Sequence, residues 1–175
     1  MNKNIPVYLY GTIIVLEGLF LILSENISFS TIQLTSGLAL GGGALVAFVA
    51  ALTRHRKQVQ FAYHEMHALT MLVYGFSILF FCSSIETFIS FTTFLFIFYT
   101  FSEIIFCNWV FNQKQGVVFR IIIIRVLLGF VTGIGTISAL HYVDYTMQIF
   151  GSLFILVGIN IILYIPVMKL NQNPM

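Results

Sequence analysis

Long apolar runs, separated by short polar connections, follow one another along the whole chain. Each run has roughly the 20 residues that an α-helix needs to cross the hydrocarbon core of a bilayer. The runs show no alternation of apolar and polar positions, so they do not have the pattern of barrel strands. We expect six transmembrane helices at residues 5–23, 31–52, 67–85, 87–111, 117–140 and 145–168.

Composition supports this pattern and excludes other classes of protein. Hydrophobic residues make up 59% of the 175 residues and charged residues 8%, with a mean hydropathy of +0.98. A soluble domain carries about 25% charged residues, and disordered chains have low hydropathy. The net charge of +2 is too small for a protein that binds nucleic acid. We therefore expect an all-α integral membrane protein, with the lipid bilayer as its main partner.

The five connecting and two terminal segments fall into two groups by charge. Lys and Arg are confined to the termini, to the second and fourth connections, and to the first part of the fifth helix. The other three connections carry acidic residues, which are Glu25, Glu86 and Asp144. Because Lys and Arg are retained on the cytoplasmic side, both termini are predicted to be cytoplasmic.

An internal repeat is suggested by residues about 58 positions apart. Gly75 maps to Gly133, and Gly42 maps through Thr100 to Gly158. We expect three two-helix repeats in a single transmembrane domain, arranged with approximate three-fold pseudo-symmetry about the membrane normal. The repeat boundaries are about 1–58, 59–116 and 117–175.

Small residues are concentrated in the second helix and recur in the others. In lipid, helices associate through close backbone approach, which glycine permits. We interpret these glycines as packing seams, with homo-oligomerisation or binding of another membrane protein through the same faces as the alternative. The expected packing residues are Gly18, Gly42, Gly75, Gly129, Gly133 and Gly158.

Glu103, Arg125 and Asn160 share a depth in the membrane. Each lies eight residues from the cytoplasmic end of its predicted helix, or about 12 Å inside the boundary. A charge that deep costs at least about 2.5–3.5 kcal/mol unless it faces the protein interior. We predict a buried polar layer in which Glu103 pairs with Arg125 and Asn160 hydrogen-bonds nearby. A structural ion pair, a proton or ion relay, and an Arg125 that reaches the cytoplasmic surface all remain open.

Glu17 belongs to the same predicted layer but lies closer to the middle of the membrane. No basic residue shares its depth. We expect it to be protonated near neutral pH and to donate a hydrogen bond to a carbonyl or to Thr12. The alternative is a contact with Arg125, about one helical turn away in depth.

Histidines form a second group of candidates. His64 and His67 can share one helical face and could hold a divalent metal, but a clear third ligand is lacking, so we predict neither metal nor cofactor. We read this segment as a solvated helix start. His141 lies with Glu25, Glu86 and Asp144 on the expected outer face, which would serve as helix caps or as a pH-responsive surface. We find no catalytic constellation and predict no enzyme activity.

The repeated hairpins, the matched glycines and the short outer turns resemble the HdeD-like family of bacterial membrane proteins. The resemblance covers about residues 8–168, and the middle repeat departs from it because residues 100–103 lack a glycine. The stretches that carry it are Glu17-Gly18-Leu19, Gly41-Gly42-Gly43 and Leu128-Gly129-Phe130-Val131-Thr132-Gly133.

This resemblance implies a location in the bacterial inner membrane and a role in acid or envelope stress. It implies no catalytic or binding residues. Two other functions remain open: a small transporter or channel that uses Glu17, Glu103 and Arg125, and a membrane scaffold or assembly subunit. A continuous polar cavity at Glu17 and Glu103 would favour transport, whereas a packed apolar core would favour a structural or partner-binding role.

Overall fold

A computed structural model of the chain describes residues 5–52, 60–112 and 119–165. Within these ranges the protein is all-helical, without strands. The three hairpin connections, which join α1 to α2, α3 to α4 and α5 to α6, are short. Two of them contain a 3₁₀ turn, Ser24–Asn26 and Val143–Tyr145. The six α-helices are α1 (Ile5–Ile22), α2 (Phe29–Leu52), α3 (Gln60–Phe81), α4 (Ile85–Asn112), α5 (Phe119–His141) and α6 (Thr146–Ile162).

The third helix differs most from its predicted bounds. It was expected at 67–85, but α3 begins at Gln60 and ends at Phe81. It ends early because Ser84 caps the next helix, with its Oγ accepting a hydrogen bond from the Thr87 amide at 3.3 Å. The predicted end of the sixth helix, residue 168, lies outside the described residues.

Within the described ranges, four helices are long and apolar enough to cross a membrane: α1, α2, α4 and α5. The remaining two contain shorter apolar stretches, Glu65–Phe81 and Thr146–Ile162. An all-helical protein with four candidate membrane spans is therefore established.

The helices form a closed ring in chain order. Each packs against the next, and α6 packs against α1, around a largely shared hydrophobic core. The packing is closest between α1 and α6 and between α2 and α3. In general, helices of adjacent hairpins pack more closely than the two helices within a hairpin.

Glycines account for the two closest seams. A methyl carbon at Gly158 would lie 2.6 Å from Val15 Cγ2 and 2.7 Å from the carbonyl oxygen of Gly11. Between α2 and α3, a methyl carbon at Gly75 would lie 2.6 Å from the Gly41 Cα. Any side chain at these positions would force the helices apart, as expected for packing glycines.

The other predicted packing glycines divide into two groups. A methyl carbon at Gly129 would meet Glu103, one at Gly133 would meet Thr100, and Gly18 packs against α6. The prediction for Gly42 is wrong, because no atom lies within 4 Å of the position a side chain would take. The interhelical contact falls on Gly41 instead, since Gly42 is rotated about 100° further around α2.

Large apolar side chains cover the outside of the ring. Such a surface is unfavourable in water and suits contact with lipid tails. Exposed examples from five of the helices are Leu16, Leu38, Phe80, Phe94 and Ile134.

Candidate functional site

Glu103 on α4 and Arg125 on α5 form a buried ion pair, as their matching depths predicted. Arg125 Nε donates to Glu103 Oε1 at 2.7 Å, and Nη2 donates to Oε2 at 2.9 Å. Both side chains are almost completely buried, with exposures of 0% for Glu103 and 1% for Arg125. Two parallel charge-assisted hydrogen bonds hold both groups in a defined orientation.

Neighbouring side chains enclose this ion pair. The guanidinium carbon of Arg125 lies 5.1 Å from the ring centroid of Phe106 and 5.5 Å from that of Tyr164, within cation–π range. The Cys107 thiol donates to Glu103 Oε1 at 3.2 Å. The arrangement is that of a packed, fully enclosed pair, and it rules out an Arg125 side chain extended to the surface.

Polar side chains from three further helices lie near the ion pair. The Tyr10 hydroxyl and His67 Nδ1 are hydrogen-bonded at 3.2 Å. Asn160 Nδ2 donates to the Tyr99 hydroxyl at 2.5 Å, and the rings of Tyr99 and His67 pack edge to face. Together with the ion pair these residues define the terminal-side layer: Tyr10, His67, Tyr99, Glu103, Arg125 and Asn160.

The expected solvated position of His67 is wrong. Its side chain is 8% exposed and packs between Tyr10 and Tyr99 in the core. It lies on the face of α3 that turns inward, whereas the sequence predicts a solvated helix start at this segment. The side chain of His64 lies outside the described residues. Among the residues that are described, no three His, Cys, Asp or Glu side chains are grouped to hold a metal.

A second group of polar side chains lies nearer to the three hairpin turns. Ser36 Oγ on α2 donates to Glu17 Oε1 at 2.5 Å. The Tyr74 and Thr92 hydroxyls are hydrogen-bonded at 2.8 Å, and both residues lie seven positions from the turn end of their helices, as Ser36 does. These four residues define the turn-side layer, about 10 Å from the terminal-side layer, because corresponding residues are seven positions apart along their helices.

Two of the predicted partners of Glu17, Thr12 and Arg125, are wrong. Thr12 is exposed on the opposite side of α1, since residues five apart differ by about 140° around a helix. Arg125 is held by Glu103 in the other layer. The acceptor role of Glu17 toward Ser36 follows from the packing of α2 against α1, which the sequence pattern did not specify.

Aromatic side chains separate the two layers. Phe96 and Phe154 are fully buried, with ring centroids 4.8 Å apart. Phe96 lies between Thr92 and Tyr99 along α4, and Phe154 also contacts the ring of Tyr74. The interior between Glu17 and Glu103 is therefore occupied by apolar rings.

The predicted acidic residues lie at the turn end, where the three hairpin connections are located. Glu25, Glu86 and Asp144 are exposed there, as is His141. Ser28 caps α2 through a hydrogen bond from the Thr31 amide to its Oγ at 3.4 Å. The expected capping role of Asp144 is wrong, because α6 begins after Tyr145 without a side-chain cap.

A cleft of about 310 Å³ opens between these connections. Its walls are mainly apolar, and Glu25 and Asp144 are among its lining residues, whereas Glu86 is not. Gln148 also lines the cleft, and its buried Oε1 has no hydrogen-bond partner within the described part of the chain. Three polar residues, Glu25, Asp144 and Gln148, thus line an otherwise mainly apolar recess.

Several members of the two layers were not found from the sequence. Tyr10, His67, Tyr99, Ser36 and Tyr74 lie on apolar helices, where a single hydroxyl or imidazole does not stand out. A seven-residue spacing between polar residues of one helix was available as a signal for some of them. Tyr10 precedes Glu17 by seven residues, and His67 precedes Tyr74 by the same number. Two turns of helix return a residue to nearly the same face.

Within the described residues, the chain is an all-helical protein with helices suited to a membrane and two polar layers in an otherwise apolar core. Comparison with protein-family models, with curated proteins and with solved structures finds no match to this chain. The HdeD-like resemblance therefore remains a prediction.

Proposed function

We propose that this chain is a six-span protein of the bacterial inner membrane, with both termini in the cytoplasm. The observation that carries this proposal is the closed ring, in which α3 and α6 pack as full members between longer helices. Exposed apolar side chains continue onto both, for example Phe76 and Ile159. The distribution of Lys and Arg supports the orientation, because none lies in the three short connections at the turn end.

We further propose approximate three-fold pseudo-symmetry of three hairpins. Close seams between hairpins alternate with looser contacts inside each hairpin, which supports this arrangement. Glycine contributes to each close seam: Gly158 between α6 and α1, Gly75 between α2 and α3, and Gly133 between α4 and α5.

The role that we propose is non-enzymatic, in acid or envelope stress, in keeping with the HdeD-like resemblance. The packed interior supports a structural or partner-binding role over a pathway, because Phe96 and Phe154 fill the space between the layers. In the proposed orientation the exposed carboxylates of the turn end, Glu25, Glu86 and Asp144, would face the exterior.

A scaffold function is the second candidate. A shallow groove of about 260 Å³ runs between α2 and α3 on the outside of the ring, with Gly41 and Gly42 among its lining residues. Exposed glycine lets a partner helix approach closely in lipid.

Single-cysteine mapping tests the orientation. The native thiols are first removed by Cys82→Ala and Cys107→Ala, and one cysteine is then introduced at Ser30, near the turn end, or at Asn112, at the other end of α4. We expect a membrane-impermeant maleimide to label the Ser30→Cys protein in intact cells, and the Asn112→Cys protein only after permeabilisation. The reverse pattern would overturn the proposed orientation.

A deletion strain tests the stress role. We expect its survival at low pH to fall and to return with the wild-type gene. A strain that tolerates acid and envelope-damaging conditions as well as its parent would remove the stress role and leave the scaffold function.

A further inference from the structure

We propose that Glu17 and Ser36 form a binding site for one exchangeable monovalent cation, a proton or Na⁺, reached from the turn end. The site lies in the turn-side layer and is distinct from the Glu103–Arg125 pair. The proposal rests on the membrane placement given above, because a carboxyl group at this depth must be neutral or paired.

The described residues around Glu17 do not include a positive charge that would balance an ionised carboxylate. Its side chain is 2% exposed, and Ser36 is completely buried. Ser36 provides the hydrogen bond to the carboxyl group, and the described residues contain no Lys, Arg or His in an ion pair with Glu17. An uncompensated buried charge is strongly unfavourable, so a bound proton or metal ion is the remaining way to neutralise it.

The neighbouring groups suit a small, hard cation. Ser36 and Glu17 present oxygen atoms, the donors that such cations prefer. Tyr74 and Thr92 place two more hydroxyl groups in the same layer. Neither α2 nor α6, the two helices packed against α1, contains a titratable residue. Tyr74 on α3 is the titratable group of the turn-side layer besides Glu17, and its hydroxyl is hydrogen-bonded to Thr92.

An approach to Glu17 from the cleft at the turn end requires two buried side chains to move. Ile32 lines its inner part, and Ser36 lies one helical turn deeper on α2. Leu21 occupies the corresponding turn above Glu17 on α1, so these two buried apolar side chains separate the cleft from the carboxyl group. The rim carries Glu25 and Asp144, whose negative charges raise the local concentration of cations.

Carbodiimide labelling in membranes tests the site. N,N′-dicyclohexylcarbodiimide dissolves in lipid and reacts with protonated carboxyl groups, and peptide mass spectrometry locates the adduct. We expect labelling of Glu17 at neutral pH and its loss as the pH is raised. Glu103 serves as an internal control, since both of its carboxylate oxygens accept hydrogen bonds from Arg125 and we expect it to remain unlabelled.

Added salt separates the two cations. Protection of Glu17 by NaCl, but not by the same concentration of KCl, identifies Na⁺ as an occupant. Dependence on pH alone identifies the proton. In either case Ser36→Ala should change the cation concentration at half-labelling by about tenfold, the effect of losing one hydrogen bond to a charged group. Ser30→Ala, at an exposed serine of the same helix, should leave it unchanged.

Two results would overturn the proposal. One is a Glu17 that reacts as slowly as Glu103 at every pH in wild-type protein, a comparison that does not depend on any variant folding. The other is a Ser36→Ala protein that folds and titrates like the Ser30→Ala control. Neither result would affect the cysteine mapping of the membrane orientation, so the two proposals fail separately.

Discussion

Arg125 and Glu103 depend on each other for their burial. Two short hydrogen bonds join the opposite charges of the two side chains. Both side chains are enclosed by the packing of α4, α5 and α6. Removal of one partner leaves a full charge in a buried site, whereas removal of both leaves none. The consequence is a large difference between single and double variants.

We expect Glu103→Gln to lower the free energy of unfolding by about 3–5 kcal/mol, because Arg125 then remains as an uncompensated buried charge. The double variant Glu103→Gln, Arg125→Met should recover most of this loss. Reversible unfolding in mixed detergent micelles measures both values. A double variant as unstable as the sum of its single variants would show that the two side chains act independently.

Tyr10 contributes through its hydroxyl group. We expect Tyr10→Phe to cost about 1 kcal/mol of unfolding free energy, because the hydrogen bond to His67 is lost while the ring packing remains. Tyr8, which is 47% exposed, provides a matched control, and Tyr8→Phe should change stability by less than about 0.5 kcal/mol. Equal effects in the two variants would contradict a role for the hydroxyl group.

Helix pairs in this protein are held by close backbone approach. The α1–α6 and α2–α3 seams have glycines facing glycines, and both join neighbouring hairpins. In lipid this contact supplies much of the association energy, since burial of apolar surface contributes little. Substitutions in a seam should therefore act very differently from substitutions elsewhere on the same helices.

We expect Gly158→Ala to destabilise the protein by about 1–3 kcal/mol, the usual effect of overpacking. The added methyl group would overlap Val15 and the Gly11 carbonyl on α1. Gly42→Ala is the matched control, because its methyl group meets no atom within 4 Å. That variant should be unchanged or more stable by up to about 1 kcal/mol, owing to the higher helix propensity of alanine. Thermal unfolding of the two purified proteins measures the difference. Similar losses of stability in both variants would contradict the assignment of Gly158 to the α1–α6 seam.

The six helices together enclose two polar layers with an apolar partition. Phe96 and Phe154 occupy the space between the layers, and the outside of the ring is covered by large apolar side chains. A cation that reaches Glu17 from the turn end therefore meets packed aromatic rings before it reaches Glu103. The arrangement favours binding at one face over passage across the bundle.

We expect liposomes that contain the purified protein to hold a pH gradient as long as protein-free liposomes do. A pH-sensitive dye trapped in the vesicles follows the gradient, and addition of a protonophore confirms that a gradient was present. A leak that appears with wild-type protein and disappears in Glu17→Gln would instead support the transporter alternative.

The apolar runs predicted which segments are helical, and four of the six predicted membrane helices are long and apolar enough within the described residues. The prediction works because the requirement to satisfy backbone groups in lipid acts locally on every segment. They also predicted the Glu103–Arg125 pair, since depth along a helix follows directly from residue number. The predicted end of the third helix was wrong because one capping serine, Ser84, decided it.

Rotation of each helix about its own axis could not be read from the pattern. Apolar residues surround all six helices, so no amphipathic face indicates which side turns inward. Three features follow from that rotation. Gly41 rather than Gly42 lies in the seam, His67 lies in the core, and Ser36 lies beside Glu17. Only the packing of neighbouring helices determines it, because in a lipid-like environment the interior is distinguished by close fit and polar partners, and these come from residues far apart in the chain.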